Sequence, residues 1–240
     1  MTAPPFSLWV YLSQTPLLWL TVTLVVYALA DALSLMSGRN PLLNPVLHSL
    51  WVIGLFLFLT GTPYQVYFGG AQFVHFLLGP VTVALAVPLY ENRVVVRRAL
   101  VPMLLALVAG SVTAITSVVV LAELAGLPRD IVLALAPKSV TAGVAMGIAE
   151  TLGADPALTA VAVILTGIMG AIVVTPMMNR LGITDYRARG FAAGLASHGI
   201  GTARAFQVDE VAGTFAGIAM SLNALVTSLL VPAAVTLLLR

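Results

Sequence analysis

Four stretches of this sequence, residues 1–30, 40–90, 99–122 and 211–239, contain no Asp, Glu, Lys or Arg. A helix needs roughly 20 apolar residues to cross the hydrocarbon core of a bilayer, so the stretch 40–90 alone can hold two crossings and a turn. Only 8% of the 240 residues are charged and the mean hydropathy is +1.06. A soluble domain carries about a quarter charged residues, so a water-soluble globule is excluded. The chain is expected to be an all-α polytopic membrane protein, a single integral membrane domain over residues 1–240 with halves at 1–124 and 125–240. Its formal charge of +2 is spread over short loops and forms no basic run of the kind that binds nucleic acid. There are no cysteines, hence no disulfide, thiolate metal site or Cys nucleophile. No cofactor or metal is expected. The start, Met1-Thr2-Ala3-Pro4-Pro5-Phe6, lacks a basic region, so the first apolar segment is expected to be retained rather than cleaved.

The pattern predicts seven to eight membrane segments, some of them discontinuous. They fall at about 7–30, 44–60, 71–90 (interrupted at Gly79-Pro80 and Pro88), 99–122, 156–178, 190–206 and 211–239. Between the fourth and the next lies an apolar pair, 131–136 and 139–149, broken by Pro137-Lys138. Arginine-bearing loops favour the cytoplasmic side. With Arg39, Arg93, Arg97, Arg98, Arg180, Arg187, Arg189 and Arg240 all placed there, the amino terminus lies outside. Residues 129–152 then enter and leave on one side as a re-entrant pair of short helices, the preferred reading; the alternative, one broken span of 24 residues, would turn the loop bearing Arg180, Arg187 and Arg189 outwards.

Ionisable groups at membrane depth cost about 2.5–3.5 kcal/mol on insertion scales and point to function. Lys138 lies eight residues past Asp130, about 12 Å of helix. Pro137 ends one helix before it and Ser139 can cap the next, whose free N–H groups near Val140, Thr141 and Gly143 would join Lys138 in a carboxylate or phosphate site. His198 lies nine residues past Arg189, roughly 13 Å in and near the midplane. Gly199 and Gly201 beside it invite an unwound stretch that is tolerated where it lines a cavity or is buried. Arg204 falls six residues further on, about 22 Å in and close to the far interface if the helix continues. Ser197, Thr202 and Asn223 can complete a pocket, with interhelical bonding an equal use for Asn223. Two broken elements, each with a cation and hydroxyls, match how many secondary carriers hold an anionic substrate at the midplane. A Ser197–His198 hydrolase is disfavoured, because adjacent residues on a helix point about 100° apart and no buried carboxylate is available to orient the histidine.

Residues 80–86 align with 139–145 at Val, Thr and the last Ala, little more than a Val- and Ala-rich chain supplies unaided. The shared restart of a helix after a proline break in each half suggests inverted pseudo-repeats.

The blocks at 79–90 (GPVTVALAVPLY), 137–141 (PKSVT), 158–161 (LTAV), 197–205 (SHGIGTARA) and 219–223 (AMSLN) resemble the LrgB/CidB family, in family order across nearly the whole chain. The family often follows its Pro-Lys-Ser-Val-Thr with Thr or Ser and then Pro. Here Ala142 and Gly143 stand instead, and Gln207 occupies a position where the family often has Glu. The resemblance implies a multi-pass protein of the bacterial inner membrane. For function it implies two things. Plant members exchange glycolate and glycerate, and some bacterial members are linked to pyruvate movement, which suggests an elevator-like carrier of small monocarboxylates. Bacterial members are also described as antiholin-like regulators of murein hydrolase export and autolysis. A small LrgA-like or CidA-like membrane partner is implied, and a homo-oligomer is open. The candidate substrate-binding set is Lys138, Ser139, Thr141, Ser197, His198, Gly199, Gly201, Thr202, Arg204 and Asn223.

Overall fold

A computed structural model describes residues 13–77, 80, 83–84 and 86–238. The start of the first expected segment, Gly79, residues 81, 82 and 85 of the segment matched to 139–145, and Arg240 lie outside the described residues. All regular structure among the described residues is helical. The chain divides into two compact units, Met1–Ala86 and Val87–Arg240.

In the first unit, α1 (Pro16–Met36) packs against α2 (Pro45–Thr60) and α3 (Tyr64–Phe76). Proline opens α1 and α2 at the first turn, where its fixed φ suits the helix and its missing N–H costs nothing. Trp19 is fully buried, edge-on to Phe56 at 6.1 Å and to Tyr67 at 5.9 Å. Gly70 lets α3 press onto α1, since a Cβ there would lie 2.7 Å from Leu20 N. Arg39 pairs with Asp31 at the end of α1.

The second unit holds the polar centre. Short helices α4 (Ala86–Glu91) and α5 (Arg93–Arg98) lead into α6 (Leu100–Leu124). Then come α7 (Arg129–Leu135), α8 (Ala142–Thr151), α9 (Pro156–Arg180), α10 (Tyr186–Val208) and α11 (Glu210–Leu238). Among the described residues four helices are long and apolar enough to cross a membrane: α1, α6, α9 and α11. Of these α11 is the most enclosed.

The apolar clusters fix the directions. Met103 and Leu107 of α6 pack with Phe215 and Ala219 of α11, whereas Ile115 and Val119 pack with Val231 and Val235, so α6 and α11 run parallel. α9 runs the other way, with Val163 beside His198 and Asn179 beside Arg189. One end of the bundle therefore gathers Arg93, Arg97, Arg98, Arg180, Arg187 and Arg189; the opposite end has Arg129 among Glu123, Asp130, Glu150 and Asp155.

The helices between these crossings are hairpins. α7 and α8 fold back on each other, since Ala134 clusters with Ala149 and Ala154, and Val132 with Ile148. Thr159 Oγ1 of α9 donates to Ala134 O at 2.9 Å, satisfying a carbonyl that the end of α7 leaves free. The turn, 136–141, points into the bundle from the acidic end.

α10 differs from the single pass expected for 190–206. Its backbone turns at His198, which has φ 41° and ψ −133°. Residues 199–208 then return along 186–197. A Cβ on Gly201 would lie 2.5 Å from Ala193 O, and Arg204, Ala205 and Val208 line one recess with Tyr186, Arg189 and Gly190. Arg204 is therefore not near the far interface; it comes back to the arginine-rich end from which the chain entered. As a result α11 starts at that end, and its last described residue, Leu238, lies at the other.

Candidate functional site

The two hairpin tips meet at the middle of α11. Asn223 sits thirteen residues into this 29-residue helix, about 20 Å from its start, and is 1% exposed. Its amide Nδ2 donates to Ser139 O at 3.1 Å in the first tip and to Leu195 O at 3.0 Å, three residues before the second. Its Oδ1 accepts from Ser111 Oγ of α6 at 2.7 Å and from Thr227 Oγ1 at 3.0 Å. An amide offers two donors and two acceptor sites. All four are used inside the protein, so Asn223 ties the tips to α6 and α11 rather than offering a free group to a ligand.

The first tip keeps a cation and a helix start. Lys138 is half-buried, and its ammonium group has no ion pair or hydrogen bond among the described residues. Ser139 is buried. Thr141 is the N-cap of α8 but its side chain makes no capping bond, which leaves the first N–H groups of the helix without that partner.

The second tip is held by packing. His198, 4% exposed, donates from Nε2 to Val163 O at 3.0 Å, which places its proton on Nε2 and leaves Nδ1 as the acceptor in the neutral ring. The ring fits only because position 167 is glycine: a Cβ there would lie 2.6 Å from His198 Cε1. Thr202 Oγ1 donates to His198 O at 2.8 Å, bracing the turn. Ser197 is buried against Gly170 and its hydroxyl has no partner among the described residues. Thus Ser197 and His198 are not hydrogen-bonded to each other. Gly199 is half-buried, while Gly201 is where the returning strand of the hairpin crosses close over Ala193. Arg204 is buried lower down, with Nη1 donating to Gln207 Oε1 at 3.4 Å.

Of the sequence-predicted residues, Lys138, Ser139 and Thr141 thus share one tip, Ser197, His198 and Thr202 the other, and Asn223 joins the two tips. Arg204 belongs to a different level. Residues that sequence reasoning missed are Ser111, Thr227, Gly167 and Gly170, and the pair Gly190 and Gly194. The last two let α10 lie directly on α11, where Cβ atoms would approach Ala212 C and Ala216 C at 2.6 Å. Their GxxxG spacing was the available signal. At the arginine-rich end Asp185 caps α10 and binds Arg187 side chain to side chain at 2.5–3.1 Å. That hydrogen bond holds the Asp185 carboxyl below its ordinary pKa. Among the described residues no three His, Asp or Glu side chains gather to hold a metal.

Fold and site define a multi-pass helical membrane protein with two opposed hairpins around a polar centre. The chain belongs to the LrgB-like family, whose model matches residues 23–237. It is 31% identical to a holin-like protein CidB of Staphylococcus epidermidis over 220 residues, 92% of this chain and 96% of that one. The CidB of Staphylococcus aureus is 30% identical over 221 residues, with the same coverage of 92% and 96%. The Bacillus subtilis protein YwbG, itself uncharacterized, is 35% identical over 184 residues, 77% of this chain and 82% of its own. No solved structure gives a significant match.

Proposed function

We infer that this protein is a secondary carrier of small monocarboxylates of the glycolate, glycerate and pyruvate class, working by alternating access in the bacterial inner membrane. The observation that carries this reading is the meeting of two oppositely directed hairpin tips on Asn223, one of them bearing Lys138 with no counter-ion among the described residues. A lysine at this depth costs about 2.5–3.5 kcal/mol, and no carboxylate among the described residues offsets it. A substrate carboxylate would, with help from the uncapped start of α8. A second polar oxygen on the substrate, as in a hydroxy or keto acid, could be read by Thr141 or at the His198 tip. Discontinuous elements of this kind at the midplane are characteristic of secondary carriers.

The order of elements supports inverted pseudo-repeats. α6 crosses and is followed by the hairpin α7–α8; α9 crosses the opposite way and is followed by the hairpin α10. The repeating parts then fall at 100–151 and 156–208, and an elevator-like motion of the site-bearing bundle is the natural mode. Six arginines at one end orient that end to the cytoplasm.

The relatives named holin-like favour a second reading, a pore or regulator that affects murein hydrolase export and autolysis. A small CidA-like or LrgA-like membrane partner fits either reading. Proteoliposomes separate the two. A carrier takes up radiolabelled glycolate, glycerate or pyruvate in a saturable way while an entrapped dye stays inside; a pore releases the dye. Under the carrier reading Lys138→Ala lowers uptake by at least about tenfold, the weight of one charge-assisted hydrogen bond, and leaves the unfolding temperature near that of the parent. Parental uptake by Lys138→Ala would remove Lys138 from the site.

A further inference from the structure

α6 is packed very differently along its two halves. Towards the acidic end, Ile115, Val119 and Ala122 are sealed against Val132, Val140 and Val231. Towards the arginine-rich end, where Met103 and Leu107 pack with Phe191 and Leu195, a half-open cavity of about 590 Å³ lies between α6 and the first half of α10. Only roughly 10–15 Å³ by this measure admits one water, so the space is large enough for a hydrated small anion. It extends from Arg98, Asp185 and Arg187 at its mouth to Gly110, Leu195 and Ala196 at its floor. Arg98 and Gly110 are twelve residues apart and Asp185 and Ala196 eleven, about 16–18 Å of helix. The floor is directly beside the tip site: Ser111 and the Leu195 carbonyl are both bonded to Asn223, and Ser197 follows Ala196.

We propose that this cavity is the aqueous vestibule by which a small carboxylate reaches the hairpin tips from the arginine-rich face, and that the structure is the state open to that face. The inference rests on the carrier reading for its substrate, though not for its water access. The walls suit passage rather than storage. Ala99, Ala106, Ala188 and Ala192 contribute no polar group that would trap an anion on the way. At the mouth Arg187 is neutralised by Asp185, whereas Arg98 has no ion pair among the described residues. One uncompensated positive charge therefore remains where an anion would be drawn in.

The chain has no cysteine, so Ala106→Cys and Ala192→Cys each introduce a single thiol by a small change. Leu165→Cys, on α9 at a site 58% exposed and away from the cavity, is the lipid-facing control. Reaction of the full-length protein in proteoliposomes is followed with a negatively charged, membrane-impermeant methanethiosulfonate added at one face. The two cavity thiols are expected to react from the arginine-rich face about 100-fold faster than the control, the partition penalty of a charge at bilayer depth. Excess glycolate is expected to slow them. If the charged reagent reaches neither while an uncharged maleimide labels both, a lipid chain or a partner helix fills the space and the proposal is wrong. Reaction from the opposite face alone also overturns it. Because labelling is read without transport, blocked labelling with uptake intact removes only the vestibule. Free labelling with no uptake of any carboxylate removes the carrier reading and leaves the water path. In support, Arg98→Gln is expected to slow uptake roughly twofold to fivefold at low ionic strength, an effect that salt erases; no change at low salt would take Arg98 out of the mouth.

Discussion

The two hairpins reach the same point by different means. In α7–α8 the turn occupies 136–141 and is set by covalent chemistry: Pro137 has no N–H to continue α7 and is itself buried. In α10 the reversal is concentrated at one residue. His198 adopts a positive φ that a non-glycine residue holds at a cost of about 1–3 kcal/mol, and only its neighbours keep it there: Val163 O, the notch at Gly167, the crossing at Gly201 and the Thr202 hydroxyl. The first turn is written locally, the second by tertiary packing. The second is therefore the one that mutations elsewhere in the bundle should undo.

The substitution with the largest expected effect acts on both hairpins at once. Asn223→Ala removes four hydrogen bonds, three to other elements (Ser111, Ser139 O and Leu195 O) and one within α11 (Thr227), each interhelical bond worth about 0.6 kcal/mol and at most about 1.7 in a membrane protein. A loss of roughly 2–4 kcal/mol is expected, read as a lower unfolding temperature in detergent. Asn223→Asp keeps the Ser111 and Thr227 contacts but cannot donate to Ser139 O or Leu195 O, so it should remain well below the parent. Next comes Gly167→Val, which overfills the notch at a cost of about 1–3 kcal/mol. It should disturb the second hairpin while leaving α7–α8 in place, and protease nicking confined to α10 would show this. A smaller effect distinguishes replacements of His198 itself. His198→Gly and His198→Ala both lose the bond to Val163 O, but glycine accepts the positive φ. The Gly variant should be more stable by about 1 kcal/mol; equal stability would mean that the turn relaxes. Smallest is Ser197→Ala. It deletes a buried hydroxyl that bonds to nothing, so stability should be unchanged or slightly raised, within about 1 kcal/mol.

The membrane class, the four long apolar helices and the first hairpin were legible because charge-free runs and a proline break are local properties of the chain. The second hairpin was visible only as a glycine-rich interruption around Ser197, His198 and Gly199. Nothing local says that a histidine will reverse the chain, because the notch that accepts it lies about 30 residues earlier, at Gly167. That one unread turn displaced Arg204 from the far interface to the arginine-rich end and moved the end of α11 to the opposite side. Asn223 was legible as a buried polar group, but its choice between ligand and tether depends on which carbonyls the hairpins leave unpaired.

The most direct check of the two-hairpin account is the side on which the ends of α10 emerge. Thr184→Cys precedes α10 and Glu210→Cys follows it, and both positions are exposed. Labelled singly with an impermeant maleimide in vesicles of known orientation, both are expected to react from the same face. Reaction from opposite faces would make α10 a plain crossing, and the meeting of the tips on Asn223 would fall with it.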